Sequence, residues 1–403
     1  MGARFLARLR VTRKPSYWPV FVLFVALRLM MLLTFPADNL TLYGDYLYYY
    51  ELAALSDQGY LPFIHTWSEY PPVFPFLSVG LYRLSELAGG GYHVYVTLLG
   101  LVMLAVDTGN LALVLRVAQR LHGEEMAERT GWIYSVLFVP LIHLWWNFDA
   151  LNAFALLLAL ELLLQGRDRW AALAMGGGAL VKLLPVLVFP VLAKTRSWQR
   201  WLVGGLLVAA VIGAAAVGLL IAGGPVAVAS FRSLTSRTSW QTVWALIDGN
   251  LRTGLLGAPA EHLDLSKATA PVGNPSRVPD LVRLLVFGAV YGLAFWKARL
   301  CEAPRRQVAF VAFTLVLFFL WSEGWSPQWQ ALLFPLLLLV LPLRRGILFI
   351  VVLSLVNLAE WPVLLSRGLN EWLYLTITLR TVLFIVLLVE LGQVVWKRPA
   401  SAS

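Results

Sequence analysis

Cysteine is nearly absent from this chain: a single thiol, Cys301, stands among 403 residues. One thiol closes no intramolecular disulfide and supplies neither a redox pair nor a metal site. Charged side chains are also scarce, at 13% of residues against 59% hydrophobic. No stretch reads as an independently folding soluble domain, and there is neither a clear short repeat nor a low-complexity tract. The start, MGARFLARLRVTRKPSYWPVFVLFVALRLMMLL, is basic then apolar but lacks a small-residue cleavage site after the apolar run. It reads as an uncleaved first helix.

What is present is a series of apolar runs near spanning length, with a mean hydropathy of +0.73. The fold class is therefore an all-α polytopic membrane protein. The net charge of +10 comes from short basic clusters between apolar runs, not from one face. That distribution is a topology signal, and nucleic acid is not an expected partner. Arg4, Arg8, Arg10, Arg13 and Lys14 should hold the N-terminus in the cytoplasm. Spans are expected at residues 17–35, 92–117, 130–143, 149–164, 201–221, 281–296, 308–321, 328–343, 347–363 and 372–395. The stretch 170–193 is too short for two full spans, so it reads as two half-length helices broken near Lys182 to Pro185, with Gly176, Gly177 and Gly178 allowing close packing. Counted this way there are about twelve crossings with both termini cytoplasmic, and Lys and Arg fall mainly on the cytoplasmic side. The whole of 1–403 forms one transmembrane domain. A first extracytoplasmic loop covers 36–91, with 72–87 as a helix lying in or dipping into the interface, and a second covers 223–280. Arg28 and Asp107, both in spans, read as a structural pair.

The first external loop is a polar, aromatic and acidic insert in an oily chain. From Gly44 to Phe74 it reads GDYLYYYELAALSDQGYLPFIHTWSEYPPVF, with Asp45, Glu51, Asp57 and Glu69 and no Lys or Arg. Asp45 opens a short helix expected to end near Gly59. A carboxylate there could take a proton from an acceptor hydroxyl, helped by burial or by a second acid such as Glu69 or Asp149. The competing reading is that Asp45 only caps its helix.

The pattern Asp45, Tyr49, Ala53, then Gly59 and Pro62, then Glu69, Tyr70, Pro71 and Pro72 resembles the first external loop of GT-C glycosyltransferases. It is most similar to the bacterial polyprenyl-phosphate-mannose-dependent mannosyltransferases of glycosyltransferase family 87. The likeness extends to N-F-D-A-L at Asn147 to Leu151, to the stretch ending at Lys182 and Pro185, and to S-P-Q-W-Q before Pro335. Phe63 departs from it, standing where relatives often have Tyr. The resemblance implies a GT-C fold with juxtamembrane helices in a large first loop. It also implies a multi-pass enzyme of the bacterial cytoplasmic membrane with an extracytoplasmic active site, the loop acid Asp45 acting as base, a polyprenyl-phosphate sugar donor and a glycolipid or glycan acceptor. Mannose is the favoured sugar, and inversion at the anomeric carbon follows from direct displacement.

A lipid phosphate needs cationic partners, and Arg232, Arg237, Arg252, Lys267, Arg367, His65 and the membrane-depth Lys182 can supply charge. For Arg232 and Arg237 the alternative is interfacial anchoring, and for Lys182 it is snorkelling or pairing with an internal carboxylate. Tyr49 and Tyr70 are further substrate-binding candidates. Trp146, Asn147 and Asp149, and likewise Trp325 and Gln328, could stack on a sugar ring and bond its hydroxyls, or could belong to an interfacial tryptophan belt. No D-x-D pair occurs in the first external loop. A metal-independent reaction with no cofactor is expected, the alternative being a divalent cation held by Asp45, Glu69 and Asp149. The competing function is a lipid or sugar transporter or flippase, which a broken helix and an intramembrane lysine would also suit.

Overall fold

A computed structural model of the chain describes residues 16–34, 44–137, 148–254, 257–270 and 272–396. Among these residues the regular structure is helical, with extended pairing only in isolated bridges, Pro62 with Thr66 and Trp240 with Gly324. Helix α1 (Trp18–Thr34) carries one charged side chain, Arg28, and that side chain is fully buried. Its Nε donates to Asp107 at 2.8 Å and its Nη1 to the Ser135 carbonyl at 3.2 Å, while the guanidinium lies 3.4 Å from the Phe24 ring centroid. The pair expected from sequence is formed. Removing one partner strands the other charge in an apolar interior, so Arg28→Met should cost about 3–5 kcal/mol, and Arg28→Met with Asp107→Leu much less. Thermal unfolding in detergent compares the two.

The polar, aromatic segment after α1 folds as α2 (Tyr46–Ala54), a 3₁₀ turn (Leu55–Gln58) and α3 (Val73–Leu87). Gly59 ends the turn at φ 83°, a left-handed conformation that glycine adopts without strain. Then come α4 (Tyr92–His122) and α5 (Glu124–Val136). α5 starts earlier than the expected span at 130–143, because Glu124 and Glu125 suit a helix N-terminus. α6 (Asp149–Leu164) has the bounds read from sequence.

The half-helix reading of 170–193 also holds. α7 (Asp168–Ala179) stops, a 3₁₀ segment (Leu184–Val188) follows, and α8 (Phe189–Thr195) completes the stretch. Pro185 and Pro190 withhold backbone donors there. Glycine allows the close packing: a Cβ on Gly178 would lie 2.6 Å from Ala155 and 2.7 Å from Pro185, and one on Gly176 2.9 Å from Val211.

α9 (Trp198–Gly223), α10 (Pro225–Ser233), α11 (Val243–Asp248), α12 (Asp280–Lys297), α13 (Pro304–Trp321), α14 (Gln330–Val340), α15 (Leu343–Leu358) and α16 (Leu373–Trp396) complete the chain. By length and composition five stretches among the described residues can cross a membrane: Tyr92–His122, Trp198–Gly223, Pro304–Trp321, Leu343–Arg367 and Asn370–Trp396. Shorter apolar helices, Trp18–Thr34, Leu184–Thr195 and Pro327–Val340, accompany them. Broken and short helices thus account for part of the difference from the roughly twelve crossings counted in the sequence. At the C-terminal end of α9, a Cβ on Gly223 would sit 1.9 Å from the Phe63 carbonyl oxygen. Only glycine lets α9 meet the segment around Phe63 there.

Candidate active site

Asp45 stands at the N-cap position of α2, yet its side chain makes no capping bond. It accepts instead from the Tyr49 hydroxyl at 3.3 Å, one helical turn on. Tyr46, Tyr49 and Ala53 share the buried face of α2 because they recur at helical spacing. The Tyr49 ring meets Phe74 edge-on at 4.7 Å and lies within 6.2 Å of Tyr70 and Phe148, while Phe74 and Phe148 stack at 3.8 Å. This aromatic cluster holds the Tyr49 ring, and with it the hydroxyl that reaches the half-buried carboxylate. Burial pushes the Asp45 pKa up, opposed by the Tyr49 hydrogen bond and then by the positive charges of Arg237 and Lys182. A carboxylate raised toward the working pH suits a general base.

A second acid lies close by. Glu69 is buried, accepts from Arg237 Nη2 at 2.6 Å, and is 2.9 Å from the Tyr48 hydroxyl, which is also 2.6 Å from His262 Nε2. His262 Nδ1 lies 2.7 Å from the Trp67 carbonyl, and the two rings stack at 4.0 Å. A carbonyl only accepts, so Nδ1 carries the proton. Burial lowers the His262 pKa, keeping the ring neutral and making Nε2 an acceptor. Tyr48 has one proton for two acceptors, Glu69 Oε1 and His262 Nε2, and shares it between them. Burial pushes Glu69 up to about 7, against the pull of Arg237 and of the Tyr48 hydrogen bond, and the negative charge of Asp45 adds to the rise.

The break after α7 brings Lys182 to the start of α6, where its Nζ lies 2.8 Å from both Asp149 carboxylate oxygens. The ammonium is also 4.8 Å from the Phe148 ring and 5.9 Å from Trp329. Of the acids named in the sequence as possible oxygen ligands, Glu69 and Asp149 thus face cations. Among the described residues no group of three or more His, Cys, Asp or Glu could hold a metal ion.

Asp45, Tyr49, Glu69, Tyr70, Asp149, Lys182 and Arg237 therefore gather in one neighbourhood. Arg232 is exposed at the end of α10, and His65 is exposed in a turn where its Nδ1 accepts from the Leu61 amide at 3.1 Å. Trp325 is 1% exposed, packed against Phe319 and Phe384 with the Arg380 guanidinium 4.9 Å from its ring. It faces the core. Gln328 is half-buried in the 3₁₀ turn Pro327–Trp329. Trp146 and Asn147 lie outside the described residues. Sequence reasoning missed Tyr48 and His262, which are 214 residues apart and share no local motif. Between the segment around Glu69 and the stretch 233–272 lies a cavity of about 390 Å³, bordered by Glu69, Arg237, Trp240, Arg252, Glu261 and Lys267.

The helical arrangement is a GT-C fold. It resembles the crystal structure of ArnT from Cupriavidus metallidurans bound to undecaprenyl phosphate, at a TM-score of 0.52 and 16% identity, covering 94% of this chain and 78% of that one. Residues 67–322 match the model of glycosyltransferase family 87, and the chain belongs to that family: it is a membrane glycosyltransferase. A second structure, the apo oligosaccharyltransferase of Archaeoglobus fulgidus, aligns at a TM-score of 0.46 and 14% identity over 95% of this chain and 57% of that one. No curated protein matches the chain.

Proposed function

We propose that the protein transfers a sugar, mannose by preference, from a polyprenyl-phosphate donor to a hydroxyl of a lipid or glycan acceptor on the extracytoplasmic face. The observation that carries this reading is the Asp45 carboxylate, half-buried beside the Tyr49 hydroxyl, making no capping bond and within the fields of Arg237 and Lys182. Asp45 takes the acceptor O–H proton as the oxygen attacks the anomeric carbon. The bond from that carbon to the phosphate oxygen breaks, its electrons leave with the lipid phosphate, and cations stabilise the departing charge. Attack opposite the leaving group inverts the anomeric centre. ArnT, similar in fold, is a precedent for polyprenyl phosphate in such a scaffold.

The broken helix at Lys182 also suits a transporter. Purified protein in nanodiscs, given polyprenyl-phosphate-mannose, its glucose and arabinose counterparts and a panel of acceptors, should form a glycosidic product without any ion gradient. Donor binding with no product from any pair would favour transport instead.

A further inference from the structure

We infer that the cavity bordered by Glu69, Arg237 and Arg252 binds an anionic carbohydrate headgroup, and that this headgroup is the acceptor's. The second half of the inference rests on the glycosyltransfer reading above. At about 390 Å³ the cavity is within the range of small-ligand sites. Its charges do not balance. Arg237 is answered by Glu69 at 2.6 Å. Lys267 stands 3.8 Å from Glu261, with both side chains nearly half exposed, a loose pair that solvent screens. Arg252 donates to the Val272 carbonyl and, at 3.5 Å, to the Thr238 hydroxyl, both neutral acceptors, and it has no carboxylate partner among the described residues. Because Glu69 titrates at about 7, the cationic excess grows as the pH falls through neutrality.

A guanidinium without a carboxylate, in a cavity that Trp240 also borders, suits a sugar carrying phosphate or carboxylate. The walls also give the ligand a direction. Trp67 and Glu69 border both this cavity and the small cleft beside Tyr49. A headgroup held by Arg252 and Lys267 therefore presents its far end toward the Asp45 side, past Glu69. A prenyl chain needs continuous apolar walls, and here Trp67, Trp240 and Val272 alternate with charged and hydroxyl side chains.

Mannose 6-phosphate, whose phosphate lies away from the anomeric carbon, is the probe. Wild type in nanodiscs should bind it at least about ten-fold more tightly than mannose, and more weakly as salt rises. Arg252→Gln with Lys267→Gln should weaken it by a similar factor while the melting temperature holds, and Asp45→Asn should bind it normally. Undecaprenyl phosphate should not displace it. No binding by wild type, or unchanged binding by a folded double variant, overturns the site. Displacement by undecaprenyl phosphate assigns the cavity to the lipid phosphate and overturns the acceptor assignment. The transfer assay on the same preparation separates the two claims. Sugar phosphate binding without transfer from any donor refutes the reaction and leaves the anionic site standing, whereas transfer with unchanged binding in the double variant refutes the site alone.

Discussion

Asp45→Asn should lower the turnover number for sugar transfer by about 10²–10⁴-fold and leave donor binding intact. The substitution keeps the size of the side chain and an oxygen for the Tyr49 hydroxyl, and removes only the ability to take a proton. A helix-capping role predicts a different result. Loss of a cap costs about 1 kcal/mol of stability and little activity, and this side chain makes no capping bond. Turnover, donor affinity and melting temperature measured on one preparation separate the two. Full activity in the folded variant would remove Asp45 from the reaction.

The second large effect is on pH dependence. Asp45 acts when ionised, so transfer should fail as the pH drops through its raised pKa. Arg237 lowers that pKa by its positive charge, and removing it should move the acid limb of the rate profile upward. Arg237→Gln is expected to move the limb up, and at a pH below the new limb each unit moved is about a ten-fold loss of rate. Glu69→Gln should act in the opposite sense. It frees the Arg237 charge from its carboxylate partner, so that charge acts on Asp45 unshared and the limb moves down. Profiles of wild type and both variants test the signs, and two shifts in the same direction would refute the arrangement.

Much of this was legible in the sequence because it is written locally. The bounds of α6 and the break after α7 follow from apolar run length, glycine and proline. The Arg28–Asp107 pair follows from the cost of an isolated charge in a span. Asp45, Glu69 and Lys182 stand in recognisable stretches. The Tyr48–His262 contact was not legible, since it joins residues 214 positions apart through packing that no spacing encodes. Trp325 was ambiguous for a related reason. A tryptophan in a polar loop can face a sugar or the core, and here a cation on α16 draws it inward: Arg380, itself bound to Glu360 and the Gln241 carbonyl.

The Arg28–Asp107 pair also sets a timing problem for synthesis. The two residues are separated by 79 positions, so α1 emerges with its arginine long before the aspartate exists. At about 5–20 residues per second the ribosome needs roughly 4–16 s to close that gap. An arginine near the middle of a lone helix costs about 2.5–3.5 kcal/mol on insertion scales, so for those seconds α1 is a reluctant membrane segment. Its final seating waits for α4, and chains truncated before Asp107 should leave the first helix poorly integrated.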